Sequence, residues 1–301
     1  MDTGKAVEIL YEAKKLGLNS IQLTGGEITM YPEFMVSLIP HAKKLAIRVN
    51  KPPTNCYIAG DRKKANDFFM ALKEVNYTSG FRISIDPYHQ EKIPIKTTAV
   101  FIAEYGKVFR FSSLTIGSCY YDREKIFGLY RQLIKELEAE GIGEAEIDTE
   151  NKKIVIQGQK VKYGMWKPTR PSWKELEEKE VELKEIKNTM ACLGPHGVGY
   201  LWVEPDLKVR VCSCNGNNFN SYLVAGDLSR ETLKDIISRN SKNRVFKVLA
   251  NYGPAGLRKV LNLKGEIMDE RKKYTFMCEL CNEILGNAEL KNKLEENLRE
   301  I

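Results

Sequence analysis

The segment at residues 20–34, SIQLTGGEITMYPEF, decides how the first half of the chain folds. Its opening residues, SIQLT, are mostly apolar or β-branched and predict a short strand. Gly25 and Gly26 end that strand, because glycine adopts the backbone conformations that tight turns require. Glu27 then places a carboxylate at the strand's carboxyl end. Taken alone, the segment is either a ligand-binding loop or a tight strand-to-helix turn with a solvent-facing acid.

The composition is that of a soluble globular protein. The 301 residues are 43% hydrophobic and 29% charged, and no apolar run approaches the roughly 20 residues that span a bilayer. The first residues, MDTGKAVEILYEAKKLG, predict an amphipathic helix and not a signal peptide, because charges interrupt every apolar cluster. We therefore expect a cytoplasmic protein without a membrane partner.

The formal net charge is +7. The lysines are spread along the chain and mixed with glutamates, which predicts a solvated, lysine-rich surface. Nothing in the sequence localises a nucleic-acid-binding patch, so nucleic acid is not an expected partner. A weak attraction for anionic substrates fits either distribution of charge.

Strands and helices alternate along the first half of the chain. Apolar residues at helical spacing predict helices over residues 7–16, 33–45, 61–75 and 122–140. Short apolar runs predict strands at SIQLT, AIRVN and GFRISID, residues 20–24, 46–50 and 80–86. Residues 97–111 suit a helix or a strand, and the helical interpretation puts a fourth strand at residues 108–116, VFRFSSLTI. This alternation predicts βα units and a parallel sheet.

The predicted strands share a feature at their carboxyl ends, where small or ionisable residues follow. These are Gly25-Gly26-Glu27, Thr54-Asn55, Ser84 with Asp86, and Ser112-Ser113. Parallel α/β proteins bind their ligands at the carboxyl ends of the strands. We therefore predict that four successive loops face one site.

The character of the sequence changes after residue 143. Residues 143–165 alternate apolar and polar side chains and predict a β-hairpin, and a charged, proline-containing linker follows at residues 166–190. Beyond the linker, residues 197–214 predict a second hairpin, and residues 229–238 and 243–251 predict helices. The chain therefore divides into a βα domain and a cysteine-rich one.

Five of the seven cysteines lie beyond residue 190: Cys192, Cys212, Cys214, Cys278 and Cys281. In a reducing cytosol, clustered cysteines are metal ligands more often than disulfides. The CELC segment offers two thiolates to one metal, and Cys192 and Cys212 flank the second predicted hairpin. Four thiolates from two distant segments suit either a [4Fe–4S] cluster or structural zinc. The alternative is a set of buried cysteines without a metal.

Residues 23–34, LTGGEITMYPEF, resemble the Gly-Gly-Glu-Pro segment of radical S-adenosylmethionine (SAM) enzymes, with Ile28 in place of the proline. In that family the loop follows the second strand of a partial (β/α)6 barrel, and its backbone contacts the amino group of SAM. Residues 81–94, FRISIDPYHQEKIP, resemble the family's fourth strand, and Pro53-Thr54-Asn55 resembles the end of its third.

The resemblance runs in the correct order over about residues 1–120. It implies a SAM site lined by Gly25, Gly26, Glu27, Asn55, Ser84 and Asp86. His89 occupies the histidine position of an SxDxxHxxxIP form found in one branch of the family. From the residues alone, His89 is equally a loop histidine that caps or packs locally.

The C-terminal part resembles the auxiliary-cluster extension of radical SAM proteins, called SPASM or, when shortened, twitch. YLWVEPDLKVRVC and VAGDLSRETLKDIISR, residues 200–212 and 224–239, match its hairpin and helix, although Leu207 replaces the hairpin glycine. CELC matches the downstream CxxC. The resemblance implies one auxiliary [4Fe–4S] cluster, with zinc as the alternative metal. Its implied ligands are Cys192, Cys212, Cys278 and Cys281, with Cys214 as a replacement for one of them.

The sequence departs from the family at the catalytic cluster, which a CxxxCxxC loop before the Gly-Gly-Glu segment normally holds. The 301 residues contain no such motif. Cys56 and Cys119 do not rebuild it, since the three thiolates must come from one tight loop. Either the motif lies upstream of Met1 or the chain is genuinely shortened. For the chain as given, we expect radical catalysis to be absent or severely impaired.

These observations predict an α/β protein: a partial (β/α) TIM-like barrel missing its first strand, followed by a small cysteine-rich α+β domain. The predicted boundaries are residues 1–165 for the barrel with its terminal hairpin, 166–190 for the linker and 191–301 for the metal-binding domain.

The resemblance also implies an activity for a protein in which the missing loop is supplied upstream. That activity is reductive cleavage of SAM and hydrogen abstraction from a peptide or small-molecule substrate, with flavodoxin or ferredoxin as a candidate electron donor. The alternative is a non-catalytic iron–sulfur or zinc scaffold that binds a partner. A zinc-stabilised regulatory protein with an unrelated α/β domain would explain the cysteines but not the ordered strand ends.

Overall fold

The structure is a computed structural model that describes residues 1–119, 122–166, 181–182, 193, 199–212, 221–265, 267–268, 272–274 and 277–300. The chain divides into two compact units, Asp2–Pro168 and, together with Met1, Thr169–Ile301. The division falls within the predicted linker. Among the described helices, none has the length and apolar character that crossing a membrane requires.

The first unit alternates helices and strands. Its helices are α1 (Thr3–Lys15), α2 (Pro32–Lys44), α3 (Arg62–Glu74), α4 (Pro87–Gln90), α5 (Ile95–Val108) and α6 (Arg123–Ala139). Its strands are β1 (Ser20–Gln22), β2 (Arg48–Asn50), β3 (Pro53–Thr54), β4 (Arg82–Ser84), β5 (Thr115–Cys119), β6 (Ala145–Asp148), β7 (Lys153–Ile156) and β8 (Gln159–Trp166). Aspartate side chains cap α1, α3 and α6 by accepting hydrogen bonds from first-turn N–H groups, which fixes where these helices begin.

The strands form a largely parallel sheet. β1 pairs with β2 in parallel, and β3 begins a six-stranded sheet with the order β3-β4-β5-β8-β7-β6. The pairs β3–β4, β4–β5 and β5–β8 are parallel, whereas β6, β7 and β8 form an antiparallel meander. Ile83, Ile116 and Tyr163 lie in one row across β4, β5 and β8 and are buried in the core that the helices share.

The mixed α/β fold and the parallel strands are therefore confirmed for this unit. Residues 97–111 are mostly helical, because residues 97–108 lie in α5, which confirms the helical interpretation. The predicted fourth strand at residues 108–116 is wrong, because β5 is Thr115–Cys119 and Phe111–Ser113 form a 3-10 turn. Phe109 stacks on Tyr105 with a centroid distance of 5.0 Å, so the alternating phenylalanines belong to a helix end. Ser112 and Ser113 consequently precede β5 and lie at its amino end.

The second unit contains short strands and longer helices. Its strands are β9 (Val181–Glu182), β10 (Trp202–Val203), β11 (Lys208–Arg210), β12 (Val224–Asp227) and β13 (Lys273–Tyr274), and its helices are α7 (Leu233–Asn240), α8 (Arg244–Leu261), α9 (Met277–Gly286) and α10 (Ala288–Arg299). β10, β11 and β12 form an antiparallel sheet, which confirms the predicted hairpin. Leu207, at the glycine position of the turn, has φ 70° and thus adopts the left-handed conformation that glycine favours.

Candidate functional site at the strand ends

The predicted site residues follow β1, β3 and β4 at the carboxyl edge of the parallel strands. The loop after β1 contains Gly25 with φ 93° and Gly26 with φ 54°, both in the left-handed region. A Cβ added at either glycine would meet no atom within 4 Å. These glycines are therefore required by the backbone conformation and not by close packing, and both are exposed.

Glu27, the next residue, is buried, with 7% of its surface exposed. Its Oε1 accepts hydrogen bonds from the Thr29 N–H at 3.0 Å, the Thr29 hydroxyl at 2.6 Å and the Thr54 hydroxyl at 2.8 Å. Its Oε2 accepts one from the Asn55 N–H at 2.7 Å. The alternative of a turn with a solvent-facing acid is therefore wrong: the carboxylate joins the loop after β1 to the end of β3.

All four donors to Glu27 are electrically neutral, and no described lysine, arginine or histidine forms an ion pair with it. Hydrogen bonds to backbone N–H and hydroxyl groups stabilise a carboxylate without cancelling its charge. Glu27 thus holds two loops together and leaves a negative charge at the edge of the sheet. Oε2 accepts a single bond, so it retains capacity for another donor.

Asn55 and Cys56 complete the loop after β3. The Asn55 side-chain Oδ1 accepts a hydrogen bond from the Tyr57 N–H at 2.9 Å, which closes a local turn. Cys56 follows in the left-handed region with φ 69° and is fully buried. Burial, and then the nearby Glu27 carboxylate, raise the pKa of the Cys56 thiol well above its ordinary value. Cys56 is therefore a neutral core side chain and a poor metal ligand.

Asp86 joins the ends of β4 and β5 in a similar way. Asp86 is 1% exposed. Its Oδ1 accepts a hydrogen bond from the His89 N–H at 3.1 Å and pairs with His89 Nδ1 at 2.8 Å, and its Oδ2 accepts one from the Cys119 N–H at 3.2 Å. The His89 side chain is 41% exposed. Asp86 is the N-cap of α4 and accepts from the His89 N–H, so His89 is not itself the capping residue but packs locally against the cap. Ser84, at the end of β4, is half-buried.

The structure thus brings Gly25, Gly26, Glu27 and Asn55 together through one carboxylate, and it ties the Asp86 loop to β5. Sequence reasoning missed Thr29 as a ligand of Glu27, although a threonine two residues after a loop acid is a recognisable capping pattern. It also missed the Cys119 N–H, which takes the strand-end place predicted for Ser112 and Ser113. That contact depends on the register of β4 and β5, which local sequence does not reveal.

The candidate metal ligands are described only in part. Cys278 and Cys281 are three residues apart on α9 and therefore share a helix face, with Cys278 partly exposed and Cys281 buried. Cys212 is buried two residues after β11. Cys192 and Cys214 lie outside the described residues. Within the described ranges, no group of three or more histidine, cysteine, aspartate or glutamate side chains is arranged to hold a metal, so the ligand set stays a prediction.

Comparison of the chain with models of known protein families gives no match, and comparison with curated protein sequences gives none either. The function is therefore argued from the geometry of the site together with the motif resemblance.

Proposed function

We propose that this chain binds SAM at the carboxyl ends of β1, β3, β4 and β5 and belongs to a radical SAM iron–sulfur protein. The observation that carries the proposal is the Glu27 arrangement: a buried carboxylate with neutral donors only, beside two left-handed glycines that face open space. SAM carries a sulfonium and an ammonium group, and a negative pole next to accessible backbone suits such a cationic ligand.

The chain connectivity supports the barrel part of this proposal. The parallel strands β1 to β5 are linked by α2, α3, α5 and shorter segments, and α6 leads into the meander that returns β8 beside β5. Consecutive parallel strands joined by helices are the connectivity of a (β/α) barrel. We infer a partial TIM-like barrel for this unit, with Asn55, Ser84 and Asp86 beside the glycine loop on its ligand-binding edge.

The C-terminal cysteines would hold an auxiliary iron–sulfur cluster or zinc. The i, i+3 spacing of Cys278 and Cys281 on α9 suits two ligands of one metal centre, and Cys192, Cys212 and Cys214 would supply the others. An iron–sulfur cluster supplies one-electron chemistry when bound. The protein's own contribution is then to hold SAM and a peptide or small-molecule substrate in place and to exclude water, with flavodoxin or ferredoxin as electron donor.

Equilibrium dialysis of radiolabelled SAM against anaerobically purified full chain tests the binding step. We expect wild-type protein to bind SAM, and Glu27→Ala to bind it at least about 10-fold more weakly. Ser84→Ala should weaken SAM binding without destabilising the fold. Ser84 is the last residue of β4 and is not one of the hydrogen-bond donors to Glu27. Glu138→Ala, an exposed acid on α6, is the control and should bind normally. Wild-type protein that binds no SAM, or equal binding by Glu27→Ala and wild type, would contradict the proposal.

A non-catalytic iron–sulfur or zinc scaffold is the second candidate. The observation that favours it is the cysteine pair on α9, since two thiolates on one helix face can hold a structural metal without any reaction at the strand ends. Two measurements on the same anaerobic sample separate the candidates: iron, sulfide and zinc content, and the binding of SAM. Bound metal without SAM binding supports the scaffold, and a colourless zinc protein rules out the auxiliary cluster.

A further inference from the structure

A row of basic side chains crosses the sheet at the amino end of the strands, away from Glu27. Arg82, Thr115, Lys162 and Lys153 are directly paired across β4, β5, β8 and β7. Directly paired residues of neighbouring strands extend to the same face of a sheet. Since the adjacent row that contains Ile83 faces the helices, this row lies on the opposite face. Arg82 and Lys162 are exposed, and Lys153 is partly buried.

The charges in this row are compensated unequally. Lys153 faces Asp148 across β6 and β7, so it has an acid beside it. Lys162 faces Thr115 on one side and Lys153 on the other, and like charges directly opposite each other are destabilising. Within the described part of the chain, no carboxylate forms an ion pair with Lys162 or with Lys51.

Lys51 approaches the same place from the turn between β2 and β3. Its position is fixed because its carbonyl accepts a hydrogen bond from Gln22 at 2.9 Å and because Pro52 accepts one from the Arg82 N–H at 2.9 Å. Lys51 is half-buried. Burial, followed by the charge of Lys162, lowers the pKa of the Lys51 ammonium group. The half-buried Lys51 ammonium group has therefore lost part of its hydration, and it lies beside a row in which Lys162 and Lys153 are directly opposite each other.

An ordinary surface lysine extends its ammonium group into the solvent, which avoids both the repulsion by a neighbouring cation and the loss of hydration. We propose that Lys162 and Arg82 of this row, together with Lys51 in the turn beside Arg82, bind the anionic group of a small molecule, either a phosphate ester or a carboxylate. An anion bound over the row would offset the repulsion between Lys162 and Lys153 and compensate for the partial burial of Lys51.

The location of this anion site suggests its relation to the strand-end site. Arg82 precedes Ser84 by two residues on the same strand, and both side chains therefore extend to the same face, about 7 Å apart along β4. A small molecule anchored at Lys51 and Lys162 would extend its other end toward Ser84. Only this orientation of the ligand rests on the proposed SAM site; the anion site itself does not.

Isothermal titration calorimetry of the full chain with pyrophosphate and, separately, with citrate at constant ionic strength tests the proposal. We expect wild-type protein to bind at least one of these probes, and Lys51→Met and Lys162→Met to bind it about 10-fold or more weakly. The preferred probe distinguishes a phosphate from a carboxylate ligand. Lys135→Met, which removes an exposed charge from α6, is the matched control and should bind within about 2-fold of wild type.

A second measurement separates a binding role from a structural one. Without any added anion, Lys162→Met should unfold at a higher temperature than wild type, because the substitution removes the repulsion. A lower unfolding temperature would mean that Lys162 stabilises the fold, and it would overturn the proposal.

Two binding results would also overturn the proposal: no binding of either probe by wild type, or an equal loss in Lys135→Met. Anion binding by a wild-type protein that binds no SAM would contradict the proposed function and leave the anion site intact.

Discussion

Two buried glutamates of the first unit are stabilised in opposite ways. Glu27, at the strand ends, is 7% exposed and accepts hydrogen bonds from neutral groups alone. Glu104, on α5 in the helical layer, is 1% exposed and is surrounded by cations. Its oxygens accept hydrogen bonds from Lys107 at 2.7 and 2.8 Å and from Arg62 at 2.6 Å. Arg62 also pairs with Glu140 at the end of α6.

The comparison distinguishes a structural ion-pair cluster around Glu104 from a site at Glu27 whose negative charge has no described counter-charge. The Glu104 cluster is balanced and joins α3, α5 and α6, so its charges are fully used in holding three helices together. Burial alone would raise the pKa of Glu104, but the hydrogen bonds from Lys107 and Arg62 outweigh it and lower the pKa. Glu27 has no such counter-charge among the described residues. An uncompensated charge beside an open glycine loop is what a cationic ligand requires.

The largest expected effect in this comparison is that of Glu27→Ala. Removing the carboxylate leaves the Thr54 hydroxyl and the Asn55 and Thr29 N–H groups without an acceptor in a buried place, which lowers the free energy of unfolding by about 3 kcal/mol. Glu27→Gln should cost roughly half as much, because one oxygen remains for the threonines while the new amide N–H₂ faces the Asn55 N–H. Urea unfolding measures both values. Glu138→Ala should change stability by less than about 0.5 kcal/mol, and an equal loss in that control would remove the special role of Glu27.

The second expected effect is that of Glu104→Gln, and it depends on pH. Because Arg62 and Lys107 are half exposed to solvent, we expect a loss of only about 1–2 kcal/mol near neutral pH. The folded-state pKa of Glu104 is lowered, so its contribution is present above the ordinary pKa of about 4.3 and is lost as the pH falls through the folded value.

Urea unfolding of wild type and Glu104→Gln at a series of pH values checks this expectation. The two curves should differ by a constant amount between about pH 5 and 8 and converge toward pH 3. A difference that persists unchanged into acid would mean that the ionised carboxylate is not what stabilises the helical layer.

The fold of this helical layer could be predicted from sequence, because the signals are local. Apolar spacing and aspartate caps lie within a few residues of each other, and the predicted helices at residues 33–45, 61–75 and 122–140 match α2, α3 and α6 to within one residue at either end. The prediction of the fourth strand was wrong because Phe109 and Phe111 alternate as strand residues do but pack at the end of a helix. The strand-end residues after β1, β3 and β4 were also identified, whereas Ser112 and Ser113 precede β5 and were misplaced.

The way those residues interact could not be predicted, because it depends on contacts between distant segments. The Thr54 hydroxyl is 27 residues from Glu27, and the Cys119 N–H is 33 residues from Asp86. The periodicity of apolar residues predicts local structure and gives no information about contacts over such separations. The pairing of Lys162 with Thr115 likewise depends on the register of β5 and β8. The position of Glu27 in the loop could therefore be predicted from the sequence, but its burial could not.

Asp86→Asn extends the comparison to the second strand-end acid, with a smaller expected effect. Asparagine keeps the shape and one oxygen for the His89 N–H, but its N–H₂ group cannot accept from the Cys119 N–H. We expect a loss of about 1–2 kcal/mol and faster hydrogen exchange at the Cys119 amide. His89→Ala should cost less, because the His89 side chain is 41% exposed. Unchanged exchange at Cys119 in Asp86→Asn would show that the contact between the β4 and β5 ends carries no stability.

The smallest expected effect compares glycines from the two regions. Gly25 has φ 93° in the strand-end loop, whereas Gly128 lies within α6, and a Cβ added at either meets no atom within 4 Å. Gly25→Ala should therefore lower the free energy of unfolding by about 1 kcal/mol, and Gly128→Ala should raise it by up to about 1 kcal/mol.

Urea unfolding of the two alanine variants should thus give changes of opposite sign. The same sign in both would mean that backbone conformation does not explain Gly25. Gly25→Val should destabilise the protein more than Gly25→Ala, because a β-branched side chain tolerates a positive φ less well than alanine does. If a ligand occupies the space in front of the loop, valine should also weaken its binding far more than alanine does. Equal SAM binding by the two variants would therefore place the ligand away from Gly25, whatever the stabilities show.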